Sequence, residues 1–202
     1  MTRPADHRTD RWRDAALVRV GVGLTGWGLA YALYRAYYAA GGTNFLPGTL
    51  ADPSRFRTIN AVAVVILLIA AALPIAMLPL LRGPRGRAVP LALCWLIAVG
   101  CVVHALVDGA ERVLSLAGRL RIDYPASVWA SVNHRVADLQ DLLFNEPWFL
   151  IEGLGFATLG AIALGPGERR RWWIAAAVGA TLALTVVGLL SATGVIGKVI
   201  IG

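Results

Sequence analysis

The chain has 202 residues, 57% hydrophobic and only 15% charged, with a net charge of +7. A soluble domain is about half apolar and about a quarter charged, so this composition belongs to the membrane class. The arginines lie in short connections between apolar blocks rather than on a basic patch, which excludes nucleic acid as a partner.

The first 14 residues, MTRPADHRTDRWRD, form a basic polar tail. The apolar block after it is long and aromatic-rich and lacks a small-residue cleavage site, so a retained span is expected over about 15–40 rather than a signal peptide. Gly41 and Gly42 end it. Within it, Trp27, Tyr31, Tyr34 and Tyr38 recur at i, i+4, i+7 and i+11, with Arg35 at the edge of the stripe. Such a face suits an aromatic helix seam, cation–π contact with Arg35, or a headgroup or flat ligand. Glycines 21, 23, 26 and 28 permit close helix approach lower in the span; they follow no strand and make no nucleotide loop.

A loop with a Pro47-Gly48 turn follows. Asp52-Pro53 predicts an N-cap and first-turn proline, so the second helix starts ahead of its apolar part. That span covers about 57–81, with Pro74 and Pro79 expected to bend it. After the basic turn RGPRGR, a third span covers about 88–110, and its helical pattern continues to Gly118. Cys94 and Cys101, seven residues apart on this helix, are about 10 Å apart along its axis. They are read as apolar packers, not as a disulfide.

The third span ends in HALVDGAER. His104, Asp108 and Glu111 stand at i, i+4 and i+7, on one helix face. A charge in hydrocarbon costs at least about 2.5–3.5 kcal/mol, so this stripe must meet protein, water or an ion. Residues 126–144 follow, where Val128, Val132, Val136, Leu139 and Leu143 fall on one helix face. An amphipathic helix is expected there, on the outer membrane surface or capping the bundle. Asn145-Glu146-Pro147 predicts the start of the fourth span, about 147–165. The fifth opens at Trp172 and covers about 172–194, with Ala175 and Gly179 as a further close-packing pair.

These spans predict an all-α integral membrane bundle. The tail 1–14 is followed by a single domain, 15–202. Arginine is densest in the tail, in RGPRGR and in ERRR, which predicts those connections and the N-terminus to be cytoplasmic. The expected location is the bacterial plasma membrane. Trp12, Trp172 and Trp173 are expected at the inner interface and Trp148 at the outer one.

Arg35, His104, Asp108, Glu111 and Glu152 are expected at similar depth on three helices. Three readings stay open: Arg35 pairs with one of the acids as a structural lock; the groups line an outward polar pocket with Tyr31, Tyr34 and Tyr38; or His104, Asp108, Glu111 and Glu152 do catalysis or hold zinc or iron. No cofactor is otherwise predicted. The partners expected are the bilayer, and a lipid or second membrane protein. Function is therefore expected to be that of a non-enzymatic accessory or binding component; the alternative is a membrane enzyme or transporter acting on a lipid headgroup or ion.

Two segments, YALYRAYYAAGGT (31–43) and NEPWFLIEGLGF (145–156), resemble a family of small actinobacterial multi-spanning proteins defined as a domain of unknown function. The resemblance implies a membrane-bound helical bundle and no particular activity. Glu152 departs from the pattern, which has an apolar or aromatic residue there.

Overall fold

A computed structural model describes residues 7–83 and 86–196, with the side chains of 7–10 left out. Arg3, Arg8, Arg85 and Lys198, which entered the charge count, lie outside the described residues or side chains. Five helices are long and apolar enough to cross a membrane. They are α1 (His7–Ala39), α2 (Pro53–Arg82), α3 (Ala88–Leu116), α4 (His134–Leu164) and α5 (Glu168–Ala192). Two short strands, β1 (Gly48–Leu50) and β2 (Trp129–Val132), complete the order.

α1 begins ahead of the expected 15, taking in part of the polar tail. Leu17, Leu24, Tyr31 and Tyr38, seven residues apart in turn, are all buried, so α1 presents one seam along its length. Its main neighbour is α2. Gly21 and Gly28 allow that approach: a Cβ on Gly28 would stand 2.9 Å from the Ala71 Cβ, and one on Gly21 would stand 3.2 Å from Leu78. Thr25 Oγ1 adds a hydrogen bond to the Ala71 carbonyl at 2.8 Å. Gly23 and Gly26 face open space, as does Gly179 in α5, so those three do not serve the close packing expected of them. In α5 it is Gly188 that meets a neighbour, Val107 of α3.

Helix ends follow local chemistry. Gly41 closes α1 at φ +98°, a conformation that costs glycine little. Asp52 caps α2, its carboxylate accepting from the Arg55 N–H at 2.9 Å, and the helix runs through both Pro74 and Pro79. α1, α2, α3 and α4 share a core at the end away from the strands, built on Leu17, Leu24, Leu78, Leu81, Cys94, Phe156 and Leu159. α5 has no buried residue, although Trp173 packs against that core. Both cysteines are free.

The opposite end carries the main departure from expectation. β1 and β2 pair antiparallel, with Gly48 opposite Val132 and Thr49 opposite Ser131. The Thr49 and Ser131 hydroxyls share a hydrogen bond of 2.7 Å. A Cβ on Gly48 would collide with the Ser131 carbonyl, so only glycine fits there. This ribbon ties the α1–α2 connection to the α3–α4 connection. Both therefore lie at one end of the bundle, the ribbon end.

Residues 126–144 thus do not form one helix. They contain β2, and then the first turns of α4, capped by Asn133, whose side chain accepts from the Val136 N–H at 3.2 Å. An α-helical segment does begin at Glu146, with the acid and Pro147 in its first turn, but it continues a helix already running and Asn145 does not cap it. Asn145 has helical dihedrals, and residues Asp141–Asn145 form a π-turn in which the Glu146 N–H bonds to the Asp141 carbonyl. Pro147 has no N–H to offer the preceding turn, and the wider turn carries the helix past it.

The apolar face of this extension points outward. Val136, Leu139 and Leu143 are exposed, while Ala137 and Asp138 are buried.

Candidate functional site

Two polar groups lie on the ribbon-end halves of the helices, and the predicted residues other than Glu111 and Glu152 fall in or beside one of them.

The larger group centres on Arg112 of α3. Its guanidinium meets Asp141 at 2.9 Å and Asp138 at 3.3 Å and donates to the Tyr124 hydroxyl at 3.0 Å. Ser115 Oγ donates to the other oxygen of Asp138 at 2.6 Å. Asp138 is 1% exposed, a burial tolerable only for a charge so completely paired. The network then runs on through neutral groups. Asn145 Nδ2 donates to Asp141, and the Tyr31 hydroxyl donates to Asn145 Oδ1 at 3.3 Å. Arg35 donates to the Tyr31 hydroxyl at 3.2 Å and to Asn60 Oδ1 at 3.3 Å. Asn60 is 1% exposed and spends its own donor on the Phe56 carbonyl at 2.9 Å. One hydrogen-bonded chain thus joins α1, α2, α3 and α4. Burial holds the Tyr124 phenol above its ordinary pKa, opposed by the Arg112 charge beside it.

The aromatic stripe of α1 runs alongside. Trp27 stacks on Trp148 with centroids 4.0 Å apart, and Tyr31 lies 5.1 Å from the same indole. Trp148 is therefore a half-buried packing partner of α1. Trp12 and Trp172 are largely exposed. Arg35 lies over Tyr31 and Tyr34, at 5.4 and 5.9 Å, the predicted cation–π arrangement. Gln140 donates to the Tyr34 hydroxyl at 3.1 Å, and the Tyr38 hydroxyl donates to the Asn44 carbonyl at 3.1 Å.

Between this stripe and the ribbon is a cavity of about 150 Å³. Tyr34, Arg35, Tyr38, Phe56, Tyr124 and Trp129 supply its rings and its cation, Gln140, Asp141 and Asn145 its other polar edge, and Pro47 part of its cover.

The second group is smaller. His104 Nε2 lies 3.6 Å from Asp108 and 3.9 Å from Glu146. Ligand atoms of all three fall within 4.8 Å of one another. The Phe149 ring stands edge-on to the imidazole at 4.4 Å.

The single pocket expected of Arg35, His104, Asp108, Glu111 and Glu152 is therefore divided. Arg35 bonds to Asn60 and Tyr31 and forms no ion pair with Asp108, Glu111 or Glu152 among the described residues. The physical reason is rotational: the Arg35 side chain leaves α1 toward α2, whereas the His104 face of α3 meets α4. Glu111 and Glu152 are partly buried and stand outside the His104 cluster. Glu146 takes the place expected for Glu111.

Sequence reasoning missed Asn60, Arg112, Tyr124, Asp138, Asp141, Asn145 and Glu146. A signal was there for some of them. Arg112 closes the same HALVDGAER stretch, and Asp138 and Asp141 lie i and i+3 on one face. No family model, curated protein or solved structure matches the chain.

Proposed function

We propose that this chain is a multi-pass protein of the bacterial plasma membrane, N-terminus inside, that binds the anionic tip of a small molecule or lipid headgroup in the cavity at its ribbon end. The observation that carries this reading is Arg35. It lines the cavity, and both its side-chain hydrogen bonds go to uncharged oxygens. A guanidinium has five N–H donors, so unused donors remain. The other cation, Arg112, is already committed to two aspartates. Rings around Arg35 suit the apolar part of a ligand, as in pockets where a few polar groups fix orientation.

Size narrows the class. A cavity near 150 Å³ suits a ligand about as large as benzene, hence a carboxylate or phosphate group with little attached. The five spans and the resemblance of segments 31–43 and 145–156 support the membrane location. The density of arginine at the opposite end supports an extracytoplasmic ribbon.

Trp129 lines the cavity, so its fluorescence reports occupancy. The test uses full-length protein in phosphatidylcholine nanodiscs. One arm adds inorganic phosphate or acetate; the other replaces part of the lipid with phosphatidylglycerol. A saturable change is expected in one arm, absent in Trp129→Phe and weakened about tenfold or more in Arg35→Gln, the equivalent of about 1.4 kcal/mol. The first arm identifies a free anion and the second a headgroup. No saturable change in either arm, or an equal response from Arg35→Gln, overturns the reading.

A further inference from the structure

The His104 group takes no part in the cavity, and its composition raises a separate question. Two carboxylates approach one imidazole, and no arginine or lysine forms an ion pair with Asp108 or Glu146 among the described residues. Arg112, one turn beyond Asp108 on α3, is engaged with Asp138 and Asp141.

Glu146 is the decisive residue. It is 6% exposed, yet its Oε2 is buried without a hydrogen-bond partner. That same oxygen faces His104 Nε2 from 3.9 Å, beyond hydrogen-bond reach. A buried carboxylate oxygen left without a partner is costly, and buried charges are normally paired or coordinate metals. Its position follows from the π-turn, which carries Asn145 toward the tyrosines and the next residue, Glu146, toward α3.

The geometry points to a divalent transition-metal site formed by His104 Nε2 and the carboxylates of Asp108 and Glu146. One imidazole with two carboxylates suits zinc and its neighbours, whereas magnesium and calcium favour all-oxygen shells. Bonds of about 2.0–2.1 Å in a tetrahedral zinc shell place ligand atoms about 3.3 Å apart. The observed separations, 3.6 and 3.9 Å from the imidazole and none above 4.8 Å, close on an ion through side-chain rotation. Three protein ligands leave a further position for water or a substrate oxygen, the arrangement of open zinc sites.

Access fits as well. The side chains of His104 and Asp108 are 43% and 34% exposed while that of Glu146 is 7% exposed, so the site has a closed floor and an open mouth. His104 lies about 24 Å along α3 from Ala88 at the helical rise, near the ribbon-end boundary of a hydrocarbon core about 30 Å thick. An ion can therefore arrive from that side without crossing the bilayer.

The experiment uses full-length, tag-free protein in detergent, stripped with EDTA and dialysed. Zinc is added, excess is removed, and bound metal is measured per chain; cobalt is added in parallel and its visible absorption recorded. We expect one zinc per chain, ligand-field bands with cobalt, and no comparable retention of magnesium. His104→Ala and Asp108→Asn change part-exposed side chains. Each should weaken zinc binding at least about 100-fold, the upper range for losing even an outer-shell partner, with thermal unfolding in EDTA unchanged. Glu146→Gln should do the same where it folds. Glu111→Gln and Glu152→Gln should leave zinc affinity unchanged. Wild-type protein that retains no zinc, or zinc retained equally by His104→Ala and Asp108→Asn, overturns the site. Wild-type protein without zinc and a more stable Glu146→Gln would instead identify a proton shared between the carboxylates.

Discussion

The guanidinium of Arg112 meets the carboxylate of Asp141 at 2.9 Å, joining α3 to the π-turn of α4. With Asp138 on its other side at 3.3 Å, Arg112 pairs with two acids inside the bundle. Through Asn145 and Tyr31 the same hydrogen-bonded network reaches Arg35 on α1.

Removing one member of such a network leaves the others buried and unpaired. Arg112→Met is expected to cost about 3–5 kcal/mol of stability, read as a lowered unfolding midpoint in detergent. The exposed Arg135→Ala should stay within about 0.5 kcal/mol of wild type. Equal effects of the two changes would show that the network does not hold α3 against α4.

The glycines of α1 make an internally controlled pair. Gly28→Val must push against Ala71, already 2.9 Å from where the first carbon would stand, and should destabilise by about 1–3 kcal/mol. Gly23 faces open space, so Gly23→Ala should instead stabilise by about 0.4–1 kcal/mol through the unfolded chain. Thermal unfolding of both variants checks the sign, which is the informative quantity.

Orientation can be read chemically. Phe45, 85% exposed in the α1–α2 connection, and Glu168, at the start of α5, lie at opposite ends of the bundle. With Cys94 and Cys101 replaced by alanine, Phe45→Cys should react with a membrane-impermeant maleimide in intact cells. Glu168→Cys should react only after permeabilisation. The reverse pattern would place the ribbon in the cytoplasm.

Span positions were legible because about 20 apolar residues in a row have few other uses, and the Asp52 cap and Gly41 stop were legible as local chemistry. Two features were not. Val136, Leu139 and Leu143 were rightly placed on one helix face, but the periodicity does not say which solvent that face meets. Here the apolar side turns outward and Asp138 turns in, the inverse of a helix in water. Pro147 signals a helix start because it lacks an N–H, and a π-turn meets the same need without interrupting the helix. The sequence placed Tyr31, Tyr34 and Arg35 correctly together; it could not show that His104 faces a different neighbour. That depends on how α1 and α3 are rotated about their axes.

The pairing of Gly48 with Val132 has a temporal consequence. Translation proceeds from the N-terminus, so the second strand emerges only after three hydrophobic helices have left the ribosome. The cavity therefore cannot be closed until α3 and the strand after it have been made. Nascent chains halted before residue 129 would carry the α1 tyrosines and Arg35 without their roof.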